Sequence, residues 1–239
     1  MKQMKKYIAI VLAVLMFAFC FAACNNKEGE SSKTANEIPA AFEGRLMEKY
    51  IDLILSKNYT FETTPKTETP ITFVQYGEDN KMLSMNVEIE GNSTAVTYML
   101  KDGTYYLLTA ADKNYTELSA SQVKKLKVNT LFNNASLEKF PNASYVGTGT
   151  STLSGVEYTY EDYYNPLVQV KNRYYFDEDG NLAYLARVNE KGKVGQKIPV
   201  SIYETNPTVF DVLNDYNFIE QAPATTKKAA ANATTRKVA

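Results

Sequence analysis

The fold of this protein is decided by residues 83–108, which read LSMNVEIEGNSTAVTYMLKDGTYYLL. From Leu83 to Ile89, apolar and polar residues alternate, a pattern typical of a β-strand with one buried face. A second apolar run, which ends at Leu100, is followed by Asp102-Gly103, a dipeptide typical of tight hairpin turns. Apolar residues then resume from Tyr105 to Leu108. The stretch therefore predicts three consecutive antiparallel strands.

Similar strand patterns occur on both sides of this stretch. They predict further strands at 58–64, 71–76, 144–152, 155–162, 167–176, 182–188 and 198–202. Short turns between most of these runs favour antiparallel order, and the total is about nine to eleven strands. A sheet of this length has to twist and curl.

Two amphipathic helices are predicted in the same region. The first covers about residues 39–57, where apolar residues from Phe42 to Leu55 recur at spacings of three and four. The second covers about 120–132, and Ser119 with Gln122 forms the capping box that opens it. A short helix is also predicted at 207–215. We therefore expect an α+β fold: a strongly curved antiparallel sheet, forming an incomplete barrel, with the N-terminal and mid-chain helices on its concave face.

The N-terminus has the pattern of an export signal. Three lysines precede an apolar run from Tyr7 to Phe21, which is shorter than the roughly 20 residues that span a bilayer. The following Ala22-Ala23-Cys24, with Phe21, resembles the lipobox of bacterial lipoproteins. The resemblance implies cleavage before Cys24 and a diacylglyceryl thioether on its sulfur. The alternatives are an ordinary signal peptide with an uninvolved cysteine, or an uncleaved anchor.

These features divide the chain into four segments. Residues 1–23 are predicted to be the lipoprotein signal peptide. Residues 24–38 are predicted to be a flexible tether, because this segment is mostly polar and lacks apolar periodicity. Residues 39–222 are predicted to form a single domain. Residues 223–239 are predicted to be a disordered basic tail, either simply solvated or in contact with anionic cell-wall polymer or lipid head groups.

Composition excludes several classes of function. Three of the 26 basic residues and none of the 27 acidic residues fall in the signal, which leaves the mature chain with a formal charge of −4. That charge argues against a nucleic-acid partner. The chain has no histidine, which excludes Ser-His-Asp catalysis and His-rich metal sites. We therefore expect no enzyme activity, no cofactor and no metal.

One short motif resembles a catalytic one. Ser121 and Lys124 have the S-x-x-K spacing of serine β-lactamases and penicillin-binding proteins, and on a helix the lysine would lie one turn after the serine. The companion motifs are missing, since no Ser-Asp-Asn occurs and Lys66-Thr67 is followed by Glu68. Helix capping by Ser119 explains the local serines better.

Two acidic clusters have simple structural interpretations. Asp177, Asp179 and Asn181 lack the EF-hand order of calcium ligands and predict a hairpin turn instead. Glu157, Glu161 and Asp162 could suggest glycosidase carboxylates. The alternation of their strand predicts instead that the two glutamates lie on a solvated face.

A short glycine-rich stretch also has a simple structural interpretation. Gly147-Thr148-Gly149 lacks the lysine and the helix start of a phosphate loop. It predicts a flexible strand segment or a sheet edge.

The predicted order, a helix followed by a bent antiparallel sheet with helices inside it, resembles the lipoprotein-carrier fold of the periplasm and related envelope lipid-carrier lipoproteins. The stretch from Tyr174 to Leu182 also looks like a strand-turn-strand of that superfamily. The resemblance implies a cavity for a hydrophobic, lipid-like ligand. Together with the lipobox and the missing histidine, it leads us to expect an extracytoplasmic, lipid-anchored protein that binds or senses such a ligand and is not an enzyme. The alternative is a structural or interaction lipoprotein with a solid core and an envelope protein or cell-wall polymer as partner.

Overall fold

A computed structural model describes residues 37–64, 70–89 and 92–220, with the side chains of 88, 89 and 92 left out. The predicted signal peptide, Cys24, nearly all of the predicted tether and the predicted basic tail lie outside the described residues. Their assignment stays a prediction.

Twelve strands form one large, open and curved sheet. In chain order they are β1 Asn58–Thr63, β2 Ile71–Tyr76, β3 Asn80–Ile89, β4 Asn92–Lys101, β5 Thr104–Thr109, β6 Asn114–Glu117, β7 Ser144–Leu153, β8 Val156–Asn165, β9 Val170–Phe176, β10 Leu182–Val188, β11 Val194–Tyr203 and β12 Asn217–Phe218.

The spatial order of the strands is β12-β6-β5-β4-β3-β2-β1-β11-β10-β9-β8-β7. Strands β1–β6 form one meander and β7–β11 form another, each joined by consecutive antiparallel pairs. The two meanders meet where β1 pairs with β11, from Thr60↔Tyr203 to Thr63↔Val200. The predicted antiparallel sheet is confirmed, and it is not closed into a barrel.

The first helix, α1, covers only Glu48–Leu55, so the prediction of a helix from residue 39 is wrong by more than two turns. Residues 40–46 form turns and a bend, and Gly44 has a φ of +67°, which is incompatible with a continuous right-handed helix. The apolar spacing reflects burial of Phe42 and Met47, both 0% exposed, rather than helical geometry throughout.

The predicted mid-chain helix is two helices, α2 Ala120–Leu126 and α3 Val128–Ala135. A 3-10 helix at Phe140–Asn142 follows α3, and the predicted terminal helix is a 3-10 helix at Pro207–Asp215. None of the helices in the described ranges is long and apolar enough to cross a membrane.

The main core lies between the helices and one face of the sheet, which we call the inner face. Tyr59, Phe73 and Leu83, all 0% exposed, belong to this face and cluster with residues of α1 and α3. Phe132 of α3 contacts Phe73, with ring centroids 6.4 Å apart. Large buried side chains therefore occupy part of the space under the helices, where the resemblance to lipid carriers implies a ligand cavity.

A smaller core covers part of the opposite, outer face. Val74, Met99 and Leu108 of the sheet cluster with Phe210 from the terminal 3-10 helix. Lys101 Nζ donates to the carbonyl of Phe210 at 3.0 Å and lies 3.1 Å from an Asp211 carboxylate oxygen. The 3-10 helix at Pro207–Asp215 therefore packs on the outer face of strands β2–β5.

Candidate functional site

An open groove lies between helices α2–α3 and strands β5–β6. We call it the lysine groove. Its volume is about 610 Å³, within the range of small-molecule sites. Its lining includes Tyr105, Leu118, Val123, Lys124, Lys127, Asn129 and Thr130.

One wall of this groove is formed by α2, a short helix with a capping box at its start. The Ser119 side chain accepts from the backbone N–H of Gln122, and Gln122 Oε1 accepts from the backbone N–H of Ser119 at 2.7 Å. The predicted capping box is therefore confirmed. It fixes the start of α2 and, with it, the position of Val123 and Lys124 along the groove.

A left-handed residue separates α2 from α3. Lys127 has φ 56° and ψ 36°, and it ends α2 and precedes α3 at once. A non-glycine residue in this conformation costs about 1–2 kcal/mol, so the surrounding contacts must hold it. The turn of direction places Lys124 and Lys127 on the rim of one groove. The single predicted helix missed this junction because lysine carries no sequence signal for it.

Strand β5 holds α3 in place through an aromatic residue. The Tyr105 hydroxyl donates to Asn129 Oδ1 at 2.7 Å, and the Tyr105 ring stacks on Phe132 with centroids 6.4 Å apart. Val128, next to the junction, is fully buried. The second wall of the groove is therefore packed firmly against the sheet.

The groove combines an apolar interior with a cationic rim. Leu118 and Val123 are 6% and 8% exposed, whereas Lys124 and Lys127 are exposed. Among the described residues, neither ammonium group takes part in an ion pair, and Glu117 is the one acidic residue in the lining. Such a lining suits a ligand with an apolar part and an anionic group.

The S-x-x-K motif lies on α2, but the structure supports the capping interpretation. Ser121 Oγ is hydrogen-bonded to Ser119 Oγ at 3.0 Å. Lys124 lies in the groove lining, whereas Ser121 does not. The motif therefore contributes Lys124 to the groove, and its serine is hydrogen-bonded to the capping residue Ser119.

The expectation that Glu161 lies on a solvated face is wrong. Glu161 is only 5% exposed and faces the main core. Its carboxylate accepts from the backbone N–H groups of Leu46 and Met47, at 2.9 and 3.2 Å, and from the Tyr163 hydroxyl at 2.9 Å. These are the unpaired donors just before α1, so Glu161 acts as a cap supplied by a distant strand. Glu157, by contrast, is exposed as predicted.

Asp162 is also buried, at 5% exposure, on the outer face. It accepts two hydrogen bonds from Arg173, at 2.7 and 2.9 Å, and these bonds raise the pKa of the guanidinium. The guanidinium lies 3.5 Å from the centroid of the Tyr160 ring. The two neighbouring carboxylates thus point to opposite faces and serve two structural clusters.

The Asp177–Asn181 segment is a hairpin turn, as predicted. Asp177 Oδ1 accepts from the backbone N–H groups of Asp179 and Asn181, at 3.1 and 2.7 Å. Gly180 has a φ of +75°, the left-handed conformation that the turn requires. The carboxylate of Asp177 is therefore used by the backbone of its own turn.

No family model and no curated protein matches this chain. Several solved structures are similar to it, and two of them are the following. The crystal structure of LprF from Mycobacterium bovis is 8% identical, covers 65% of this chain and 91% of its own, and has a TM-score of 0.32. The crystal structure of a DUF1329 family protein from Desulfovibrio piger is 11% identical, covers 72% and 95%, and has a TM-score of 0.29. These TM-scores are too low to transfer a fold or a function.

Proposed function

We propose that this protein is a lipid-anchored, extracytoplasmic lipoprotein that binds an anionic, lipid-like amphiphile in the lysine groove and catalyses no reaction. The anchor is supported by the lysines, the apolar run and the Phe21–Cys24 motif at the N-terminus. Acyl chains on Cys24 would hold the domain at the membrane, each buried CH₂ adding about 0.8 kcal/mol.

The observation that carries the ligand class is the pairing of a buried apolar interior with two exposed lysines on one groove. Leu118, Val123 and the Tyr105 ring offer contacts to an alkyl chain. Lys124 and Lys127 offer donors to a carboxylate or phosphate group. The large buried side chains between α1, α3 and the sheet favour this open groove over a site beneath the helices.

Binding of a fluorescent long-chain fatty acid to the full chain in mild detergent tests the proposal. We expect Lys124→Glu and Lys127→Glu each to weaken binding about tenfold, since a lost charge-assisted hydrogen bond costs about 1.5–3 kcal/mol. Lys125→Glu is the matched control, because Lys125 belongs to the same helix but does not line the groove. Equal loss in all three variants, or no binding by the wild type, would overturn the groove assignment.

The anchor is tested separately. The N-terminal peptide of the protein made in a bacterial host should start at Cys24 and carry an acyl mass. Cys24→Ser should move the protein from the membrane fraction to the soluble fraction. An unmodified peptide in the membrane fraction would instead support an uncleaved apolar anchor.

A second function is favoured by the outer face of β8–β10. Tyr158 and Tyr184 are half-buried there, with ring centroids 5.5 Å apart in an edge-to-face contact, and the tyrosine-rich surface suits a protein or cell-wall partner. Together with the filled core, it supports a structural or interaction lipoprotein. Retention of the full chain on isolated cell-wall polymer should then fall with Tyr158→Ala and Tyr184→Ala and persist in Lys124→Glu. Unchanged retention would reject this function.

A further inference from the structure

Strand β7 is an unprotected edge of the sheet. Within the described residues it pairs with β8 alone, and its ten residues, SYVGTGTSTL, include no charge and no proline. The opposite edge is formed by the two-residue β12 beside the four-residue β6. Natural sheets usually protect long edges with charges, prolines or short strands, because a free edge pairs readily with another strand.

The hairpin geometry shows which backbone groups point outward. Ser154 and Gly155, with φ of 51° and 86°, form a two-residue turn, and Leu153 lies opposite Val156. In such a hairpin the residues flanking the turn are hydrogen-bonded to each other, and the pairs then alternate. Leu153, Ser151 and Gly149 therefore bond to β8.

The residues in between have their N–H and C=O groups on the open edge. These residues are Thr148, Thr150 and Thr152. A side-chain contact agrees with this alternation, because the Tyr160 carbonyl, opposite Gly149, accepts from Thr148 Oγ1 at 2.7 Å and so points toward β7. Six backbone groups of β7 are thus available to a further strand.

We propose that β7 pairs with β7 of a second copy of this chain, antiparallel about a two-fold axis through Thr150. In this register Thr150 faces the partner's Thr150, and Thr148 faces the partner's Thr152. All six outward backbone groups of each copy are then used. The pairing joins two open sheets into one continuous sheet across the dimer.

The side chains of β7 fit this register on both faces. The exposed Thr148, Thr150 and Thr152 form threonine pairs across the axis, a favourable cross-strand combination. On the other face Leu153 lies opposite the partner's Gly147. A Cβ at Gly147 would have no atom within 4 Å, so the space above this glycine is open to a leucine.

Charge also favours a second copy over a different strand. In this register a charge at position 150 would face the same charge of the second copy and repel it. Strand β7 has no charged residue, and the register shift between Tyr145 and Gly147 marks where the regular ladder ends. The six residues from Thr148 to Leu153 form a small interface, so we expect a weak dimer that is favoured when membrane anchoring concentrates the chains.

Cysteine cross-linking of the full chain in bacterial membranes tests the register. Under mild oxidation Thr150→Cys should give a disulfide-linked dimer, because the two Cα atoms would be about 5.5 Å apart. Thr148→Cys alone should not, since its symmetry mate lies about four residues away along the strand. Co-expression of Thr148→Cys with a differently tagged Thr152→Cys should restore the cross-link. Cys20 and Cys24 occur in every variant, so the wild type gives the background.

The dimer itself is tested by a second pair of variants, with chemical cross-linking as the readout. Thr150→Lys places two ammonium groups on the axis and should reduce the dimer at least tenfold. Ala95→Lys, at an exposed position of β4, should leave it unchanged. The proposal is overturned if folded Thr150→Cys gives no dimer, if Thr148→Cys alone cross-links equally well, or if Thr150→Cys is captured by a different protein.

Discussion

Glu161 shows how a single carboxylate can connect two distant parts of the chain. It lies on β8, yet it accepts hydrogen bonds from the backbone of Leu46 and Met47, more than 110 residues earlier. Hydrogen bonds to a charged acceptor are stronger than neutral ones. The carboxylate therefore orients the entry into α1 against the second meander.

Replacing Glu161 with Gln should destabilise the protein by about 2 kcal/mol. The amide presents its NH₂ group to the backbone N–H of Leu46 or Met47, so one of these buried donors loses its partner. The free energy of unfolding from urea titration measures the effect. Glu157→Gln, on the same strand but exposed, is the control and should change stability by less than about 0.5 kcal/mol. Equal effects of the two substitutions would contradict the capping role.

The sequence predicted the alternation of β8 correctly but wrongly placed Glu161 on a solvated face. Val156, Tyr158 and Tyr160 form the apolar half of the pattern, yet Tyr158 and Tyr160 lie on the outer face. Tyrosine is amphipathic and tolerates either face of a sheet. Only the position of α1, which a strand pattern cannot show, reveals that Glu161 is buried.

Strands were predicted better than helices at the level of elements. The boundaries of β2 and β10 agree with the sequence pattern, because alternation over six or seven residues is a local property. The helices depended on single residues with left-handed backbone, Gly44 and Lys127, which interrupt otherwise continuous apolar spacing. Strands β6 and β12 were not predicted, since they are short and are defined by pairing with each other and with β5.

Of the candidate site, the sequence predicted the helix cap at Ser119 but not the groove. The sequence pointed to Lys124 only through its S-x-x-K spacing from Ser121. The role of Lys127 was not predicted, because it depends on a left-handed φ that nothing in the sequence context indicates. For Gly147–Gly149 the sequence left two alternatives, a flexible strand segment or a sheet edge, and β7 does form one edge of the sheet.

The two glycines of β7 make a matched pair of tests. A Cβ at Gly149 would lie 2.7 Å from the Tyr160 hydroxyl, whose ring is held beneath the Arg173 guanidinium, whereas Gly147 is open. Gly149→Ala should therefore destabilise the protein by about 1–2 kcal/mol. Gly147→Ala should change stability by less than about 0.5 kcal/mol. Thermal unfolding of both variants measures the difference, and a Gly149→Ala variant as stable as the wild type would show that Tyr160 moves freely.

At the scale of the whole molecule, buried tyrosines take the place that phenylalanine would occupy in many cores. Burial raises the pKa of Tyr59, Tyr98 and Tyr174 above its ordinary value of 10.0. For Tyr163, burial raises the pKa first and the neighbouring Glu161 carboxylate raises it further. These hydroxyls stay protonated in the folded state at a pH where they ionise in the unfolded chain.

The protein should therefore lose stability as the pH rises above about 10. There the unfolded chain binds fewer protons than the native state, so the free energy of unfolding falls with pH. Below the ordinary tyrosine pKa this contribution is fully present. Urea titrations at about pH 8 and about pH 10.5 measure the change, and Tyr174→Phe should show a smaller loss between the two because it removes one of these groups. An identical loss in the variant would contradict the assignment to Tyr174.

The single junction between β1 and β11 has a consequence for the order in which the molecule assembles. Every other antiparallel neighbour is adjacent in sequence, whereas this ladder joins residues about 140 positions apart through four pairs. Closing so long a loop is entropically slow, so the hairpins should form early and the junction late. Ile202→Val would then accelerate unfolding with little effect on the refolding rate, as stopped-flow chevrons would show. If refolding slows instead, the junction belongs to the nucleus, and the whole sheet condenses around the strand that joins its halves.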